Sequence, residues 1–272
     1  MFDAAESVSP SSRSRFFAYA RGAPTIVLLH GLTATPRQFD GLAPLLHARG
    51  RNVIVPRLPR HGYYNRMTRA LAELEIAELI AAVKIAVRDA QDLGGSVTVA
   101  GFSLGGLLAA YAAQRESVTR VVCIEPFFGV RFLSRALNRY CLGMLRWIPD
   151  LFMWWDPIRR EAQPGDGYPR YPVSALRKAY TLGQAILDDA RQRPPLTNSI
   201  AVVTNPGETS CHHGFVRDLI ALWRRQGADV DEVLLPKLGV SHDFMTPRPG
   251  PRRERVHQRA YPVVVDAILS KT

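Results

Sequence analysis

Cysteine, lysine and long apolar runs are all scarce in this chain of 272 residues. Three cysteines, Cys123, Cys141 and Cys211, are too few and oddly numbered for a disulfide framework, so no bridge is expected and a reducing, cytoplasmic compartment is the plain expectation. No segment of about 18 residues runs free of charge. The amino-terminal stretch carries Ser, Arg, Asp3 and Glu6 but no apolar core of signal-peptide length, so neither a membrane span nor secretion is expected. Only four of the 35 basic residues are lysine (Lys84, Lys178, Lys237, Lys271), and the rest are arginine. The resulting net charge of +11 would in other chains point to nucleic acid or an anionic membrane. Here the arginines are spread along the chain, a bias that reflects genome composition, and no interleaved basic and aromatic motif of a nucleic-acid module is present. Nucleic acid is therefore not an expected partner. Repeats and low-complexity tracts are absent too.

What is present is a composition of 47% hydrophobic and 22% charged residues, which fits one enzyme-sized domain over residues 1–272. Short apolar runs alternate with segments of helical period, the pattern of an α/β fold with a mostly parallel sheet and crossover helices. The predicted strands are Thr25 to His30, Asn52 to Pro56, Ser96 to Ala100, Val118 to Ile124, Ser199 to Thr204 and Glu232 to Leu235, with Arg15 to Tyr19 as a further edge strand. Helices are predicted over Pro36 to Arg49, Leu71 to Leu93, Leu104 to Arg115, His213 to Gln226 and Arg253 to Leu269. The stretch before about Ser14 is Ser-rich and read as mobile. Alternation stops after Pro126 and resumes at Ser199. Residues of about 127–198 are thus an insertion into a core of about 15–126 and 199–272.

Gly101-Phe102-Ser103-Leu104-Gly105 follows the SVTVA strand directly and opens a helix. A strand-to-helix turn this tight holds Ser103 in a strained conformation with its hydroxyl exposed, and the glycines remove side chains that would collide there. Without its strand and helix the pattern would be weak, and Ser103 could be a simple helix cap. As a nucleophile Ser103 needs a general base and an acid to orient that base. His242, in a loop between the last strand and the last helix, is the preferred base; His30 reads as structural, and His47, His61 and His257 fall in helical or basic surface segments. His212 and His213 follow Cys211, but three adjacent residues cannot all face one ion, so no metal site is expected. Glu208 is the only carboxylate directly after SIAVVT, and the Pro206-Gly207 turn would place it at the carboxyl edge of the sheet. Asp243, Asp229 and Asp231 are the substitutes for it. The His30-Gly31-Leu32-Thr33 turn and the elbow would offer the backbone amides of Leu32 and Leu104 as oxyanion donors, the alternative being a plain glycine turn.

With these residues in the order Ser103, Glu208, His242, the chain from about Pro24 to Thr272 resembles the α/β-hydrolase superfamily. Within it the chain is similar to the bacterial carboxylesterase and monoacylglycerol lipase group, through HGLTATPRQF (His30 to Phe39), PRLPRHG (Pro56 to Gly62) and GFSLGG (Gly101 to Gly106). Two positions depart from that group: Arg60 stands where Gly is common, at what would be the rim of the site, and Glu208 where the acid is commonly Asp. The resemblance implies an acyl-enzyme on Ser103, small-molecule ester substrates and no cofactor. Amide or C–C bond hydrolysis with the same triad, or a non-catalytic binding protein of this fold, are the alternatives.

The insertion would be a helical lid. It is rich in aromatics (Phe127, Phe128, Phe132, Tyr140, Trp147, Phe152, Trp154, Trp155), which favours apolar acyl chains of medium or long length. From Arg131 to Ile148, Leu133, Leu137, Cys141, Met144 and Ile148 share one helical face and Arg131, Arg135 and Arg139 another. Such a helix either packs on the core or makes a peripheral membrane or lipid contact. Oligomeric state is not legible.

Overall fold

The computed structural model describes residues 8–144, 150–158, 160, 166–197, 199–240 and 242–271, with 141–144 described by their backbone alone. In chain order the elements are β1 (Arg15–Phe17), β2 (Thr25–Leu29), α1 (Ala43–His47), β3 (Asn52–Val55), α2 (Ile76–Gln91), β4 (Val97–Phe102), α3 (Leu104–Arg115) and β5 (Arg120–Ile124). They continue with α4 (Arg135–Met144), β6 (Phe152–Trp154), β7 (Arg170–Pro172), α5 (Val173–Gln192), β8 (Ser199–Thr204), α6 (His213–Arg225), β9 (Asp229–Leu234) and α7 (Pro251–Leu269).

Seven strands form one sheet in the order β1-β3-β2-β4-β5-β8-β9. All neighbours are parallel except β1, which pairs antiparallel with β3 through Arg15↔Val55 and Phe17↔Val53, making it the expected edge strand. The central strands read as unbroken apolar runs because both faces of the sheet are covered. Ile26, Leu28, Ala100, Phe102, Val122, Ile124, Ala201 and Val203 pack towards α1 and α7, while Val27, Leu29, Val97, Val99, Val121, Cys123, Ile200 and Val202 pack towards α2, α3, α5 and α6. From β2 the chain moves outwards to β3 and then returns to β4 on the other side of β2. This reversal opens a crevice at the carboxyl ends of β2 and β4, where open α/β sheets hold their sites.

Two predicted helices are broken. Pro36 to Arg49 divides into a 3-10 turn (Pro36–Phe39) and the short α1, since Pro44 at the start of α1 has no N–H to continue an earlier helix. A side chain at Gly41, between the two, would meet the Tyr261 ring at 2.6 Å. Leu71 to Leu93 breaks at Leu74, whose ψ of 129° is extended, because Glu75 and Glu78 form a reciprocal capping box that starts α2 afresh. The stretch before Ser14 is also more ordered than its composition implies from Val8 onwards. Val8 bridges Tyr63, Ser9 N–H donates to Gly62 O (2.8 Å) and Ser12 is fully buried.

The insertion holds α4, α5 and the β6–β7 hairpin. Phe128 is wholly buried against the core, and Phe152 and Trp154 carry guanidinium groups over their rings. The helix predicted from Arg131 starts only at Arg135, and the inward residue is Asn138 rather than the leucines. Asn138 exchanges hydrogen bonds with Val130 and caps the carbonyls of Leu133 and Ser134, while Leu137 stays 47% exposed. Trp147, Ile148 and Asn198, and the side chains of Cys141 and Met144, lie outside the described residues. Among the described residues no helix is long and apolar enough to cross a membrane.

Candidate active site

Ser103 ends β4 with φ 57° and ψ −110°, a strained conformation for a residue with a side chain. The neighbouring glycines explain how the strain is held. A Cβ on Gly101 would strike the Gly105 carbonyl, one on Gly105 the Leu29 carbonyl, and one on Gly106 would lie 2.8 Å from the Ile124 carbonyl. The backbone of Ser103 is satisfied on both sides: its N–H donates to Ile124 O (2.9 Å), and its carbonyl accepts from Leu107 N (2.9 Å) and Phe127 N (3.1 Å).

From this elbow a line of hydrogen bonds runs across three loops. Ser103 Oγ lies 3.1 Å from His242 Nε2, and His242 Nδ1 donates to Glu208 Oε2 at 2.6 Å. A carboxylate can only accept, so Nδ1 carries the proton and Nε2 is free to accept from the hydroxyl. The second Glu208 oxygen accepts from the amides of Ser210 and Cys211 (3.1 Å for Cys211), which fixes the carboxylate in the turn after β8. Burial would raise Glu208, but the hydrogen bond and charge of His242 and the two amides outweigh it and hold it below the ordinary carboxylate value. Burial likewise pulls His242 down, yet Glu208, Glu125 and Asp243 prevail and its pKa is raised.

The other candidates have different partners. His30 is buried, accepts from Leu58 N–H (3.0 Å) on Nε2 and donates from Nδ1 to Gly31 O (3.0 Å), and burial holds it neutral with a pKa well down. His61, packed edge-on to it, is lowered to about 4 by burial. Asp243 turns away from its neighbour His242 to accept from the amides of Met245 and Thr246 and to pair with Arg248 at 3.1 Å. Asp229 and Asp231 belong to β9 and pair with Lys271, with Arg120 also on Asp231. His212 caps α6 by accepting from Gly214 N–H (3.1 Å), and His213 Nε2 meets Glu125 Oε2 at 2.9 Å.

Sequence reasoning missed three buried groups around this line. Glu125, with φ 44° at the end of β5, accepts from the Asn205 amide and from His213. Burial raises its pKa, opposed by His213 and reinforced by the charge of Glu208. Asn205 ties the acid loop to the base loop through Nδ2 and Val240 O (3.0 Å). Cys211 is fully buried, its thiol donating to Glu125 O (3.4 Å), and burial with two nearby carboxylates pushes it well up, so it stays a thiol. The signal for Glu125 was its place, a carboxylate at the carboxyl end of a central strand. Donor atoms of Glu208, Cys211 and His242 lie within 4.8 Å of one another. Two of them are bonded at 2.6 Å, closer than two ligands of one ion sit, so a metal here would have to break the Glu208–His242 bond.

Ser103 and His242 open into a cavity of about 340 Å³. Leu32, Phe102 and Trp155 supply its apolar wall; Thr246, Arg248 and Arg253 supply polar wall. Leu32 lines the same space as Ser103, and Leu104 is the first residue of α3, directly after the hydroxyl-bearing residue. Among the described residues, Trp155 is the member of the predicted aromatic set that lines this cavity. Its Nε1 donates to Thr33 Oγ1 (2.8 Å), and Tyr168 N–H donates to Thr33 O (2.8 Å), so the insertion is fastened to the turn after β2. Arg60 is not among the described residues that line this cavity; it takes φ 66°, which accounts for glycine being easy there, and pairs with Glu73 (2.9 Å) and Glu78 (3.1 Å).

A sequence profile described as the alpha/beta hydrolase family matches residues 26–257, the span that holds every element just described from β2 to the first turns of α7. The chain belongs to that family. This α/β hydrolase is 29% identical over 128 residues to an AB hydrolase superfamily protein of Gibberella zeae, a stretch covering 46% of the chain and 44% of that relative. The match thus spans under half the length of the curated relative. Among solved structures, a monoacylglycerol lipase of Paleococcus ferrophilus is 17% identical, with 93% of this chain and 98% of the other covered and a TM-score of 0.65. A soluble variant of monoglyceride lipase from Saccharomyces cerevisiae, in complex with a substrate analogue, is 13% identical with 95% and 91% covered and a TM-score of 0.69. These likenesses establish the α/β-hydrolase fold, with a mostly parallel sheet flanked by helices.

Proposed function

We propose that this α/β hydrolase is a serine carboxylic ester hydrolase in which Ser103 is the nucleophile, His242 the general base and Glu208 the acid that orients it. The observation that carries this reading is the unbroken line Ser103 Oγ, His242 Nε2, His242 Nδ1, Glu208 Oε2, with separations of 3.1 Å and 2.6 Å. As Ser103 Oγ attacks the ester carbonyl carbon, its proton passes to His242 Nε2. The resulting oxyanion is met by the amides of Leu32 and Leu104. The carbon–oxygen bond to the alcohol breaks, and His242 returns the proton to the departing oxygen. Water then gives a proton to His242 and attacks the acyl-enzyme, releasing the carboxylic acid and restoring the Ser103 hydroxyl.

Residues of about 127–198 serve in this reading as a lid over a core of about 15–126 and 199–272 within one domain, and Leu32, Phe102 and Trp155 receive an apolar acyl chain. The exposed Phe132, Leu137 and Tyr140 favour peripheral lipid contact by the same segment. Buried free thiols at Cys123 and Cys211 favour the cytoplasm. The test is covalent labelling by a fluorophosphonate: Ser103 is modified, and Ser103→Ala abolishes both labelling and ester turnover. No labelling of a folded protein overturns the reading and leaves a binding protein of this fold. A panel of chromogenic esters turned over best as the acetate would remove the acyl-chain part, and faster amide or C–C cleavage would change the reaction class.

A further inference from the structure

Two arginines of this chain sit in contrasting surroundings. Arg120, fully buried at the start of β5, meets Ala267 O (2.9 Å), Ser199 Oγ (2.6 Å) and Ser270 Oγ (2.9 Å) and pairs with Asp231 (3.2 Å). Arg253, half-buried in the wall of the catalytic cavity, donates from Nη1 to the Asp243 carbonyl (2.8 Å) and makes no ion pair among the described residues. Asp243, the carboxylate near it, is committed to Arg248 and to two backbone amides. Burial lowers the pKa of Arg253, and Arg248 and Arg252 lower it further, with Asp243 alone opposing them. An arginine nevertheless keeps its proton, so the cavity lining beside Ser103 sets the two guanidinium groups of Arg248 and Arg253 against the one carboxylate of Asp243, which is bonded to Arg248 alone of the two, and the wall carries an excess of positive charge. Arg253 also lies in the first turn of α7, where the helix dipole disfavours a cation.

We propose that the cavity takes esters bearing a second, anionic group, a carboxylate or a phosphate, and that Arg253, with Arg248 beside it, holds that group while Phe102, Leu32 and Trp155 take the apolar part. The inference rests on the ester-hydrolase reading and names its substrate class. A guanidinium fork matches either oxyanion with paired N–H donors, and in a partly desolvated wall each such bond is stronger than in water.

The test compares pairs of esters that differ by the anionic group, on the full chain: 4-nitrophenyl hemiglutarate against 4-nitrophenyl valerate, with a methyl in place of the carboxylate, and a 1-acylglycerol 3-phosphate against the same 1-acylglycerol for the phosphate. In at least one pair the anionic member is preferred in kcat/KM by about tenfold or more, the change that one charge-assisted hydrogen bond contributes. Arg253→Gln removes most of that preference and Arg253→Lys restores part of it. Because the ratio is read within each protein, a general loss of activity cancels. Neutral esters equal to or better than their anionic partners in both pairs of the unaltered protein would overturn the proposal, as would a ratio unmoved in a folded Arg253→Gln protein. Fluorophosphonate labelling of Ser103 in the same samples separates this failure from failure of the ester-hydrolase reading, since labelling persists in the first case and is absent in the second.

Discussion

The loops after β5 and β8 each bury a glutamate against a histidine, and the two pairs differ in what surrounds the carboxylate. Glu208 receives two backbone amides and the His242 ring, enough donors to hold it ionised although buried. Glu125 receives one amide and the His213 ring, and stands next to the charge of Glu208, so its pKa moves the opposite way. Two adjacent carboxylates resist being ionised together, and the better-donated one holds its charge to lower pH. The comparison teaches that how firmly a buried carboxylate at this sheet edge holds its charge is set by the number of its donors as well as by the ring it meets.

The largest effect that bears on this comparison is loss of the proposed nucleophile. Ser103→Ala is expected to lower kcat by about a millionfold, measured by ester turnover, and gives the floor against which both glutamates are judged. Glu208→Gln should cost about ten-thousandfold, because the ring loses its orienting partner. It should also move the acidic limb of kcat/KM. A base must be neutral, and the raised pKa of His242 places that limb above the ordinary imidazole value of about 6.5, with activity rising as pH increases through it. Without Glu208 burial prevails and the limb falls. Gly105→Ala drives a methyl group into the Leu29 carbonyl and should cost about 3 kcal/mol, read from the denaturant midpoint, with the elbow disturbed. Glu125→Gln should slow turnover only a few-fold and lower the limb slightly, since its charge helps to raise His242; a loss matching that of Glu208→Gln would break the comparison. Treatment with a chelator should leave turnover unchanged.

Much of the sheet was legible because buried parallel strands are short apolar runs whose ends are marked by Gly, Pro and Asn. Ser103 stood out because its glycines sit where backbone touches backbone, a requirement that no other residue meets. Glu208 could be picked out as the carboxylate directly after β8. Asn205 and Cys211 were not legible, and Glu125 was marked only by its place at the end of β5, because their burial follows from how the ends of three strands converge, which no local pattern encodes. The same limit applies to α4. Helical period groups Leu133 with Leu137 but does not say which face meets protein, and Asn138 turned inwards because the incoming loop had carbonyls to satisfy. The broken helices show the reverse case, since Pro44 and the Glu75–Glu78 box were local marks that a longer periodicity concealed.

Thr33 follows Leu32 in the turn after β2, and it is gripped by Trp155 through its hydroxyl and by Tyr168 through its carbonyl. In the proposed reading, admission of substrate and stabilisation of its oxyanion therefore share one anchoring residue. A guest that displaced the tryptophan on entering would also slacken the peptide next to an amide proposed to steady the developing charge, and full grip would return only with the indole back on Thr33.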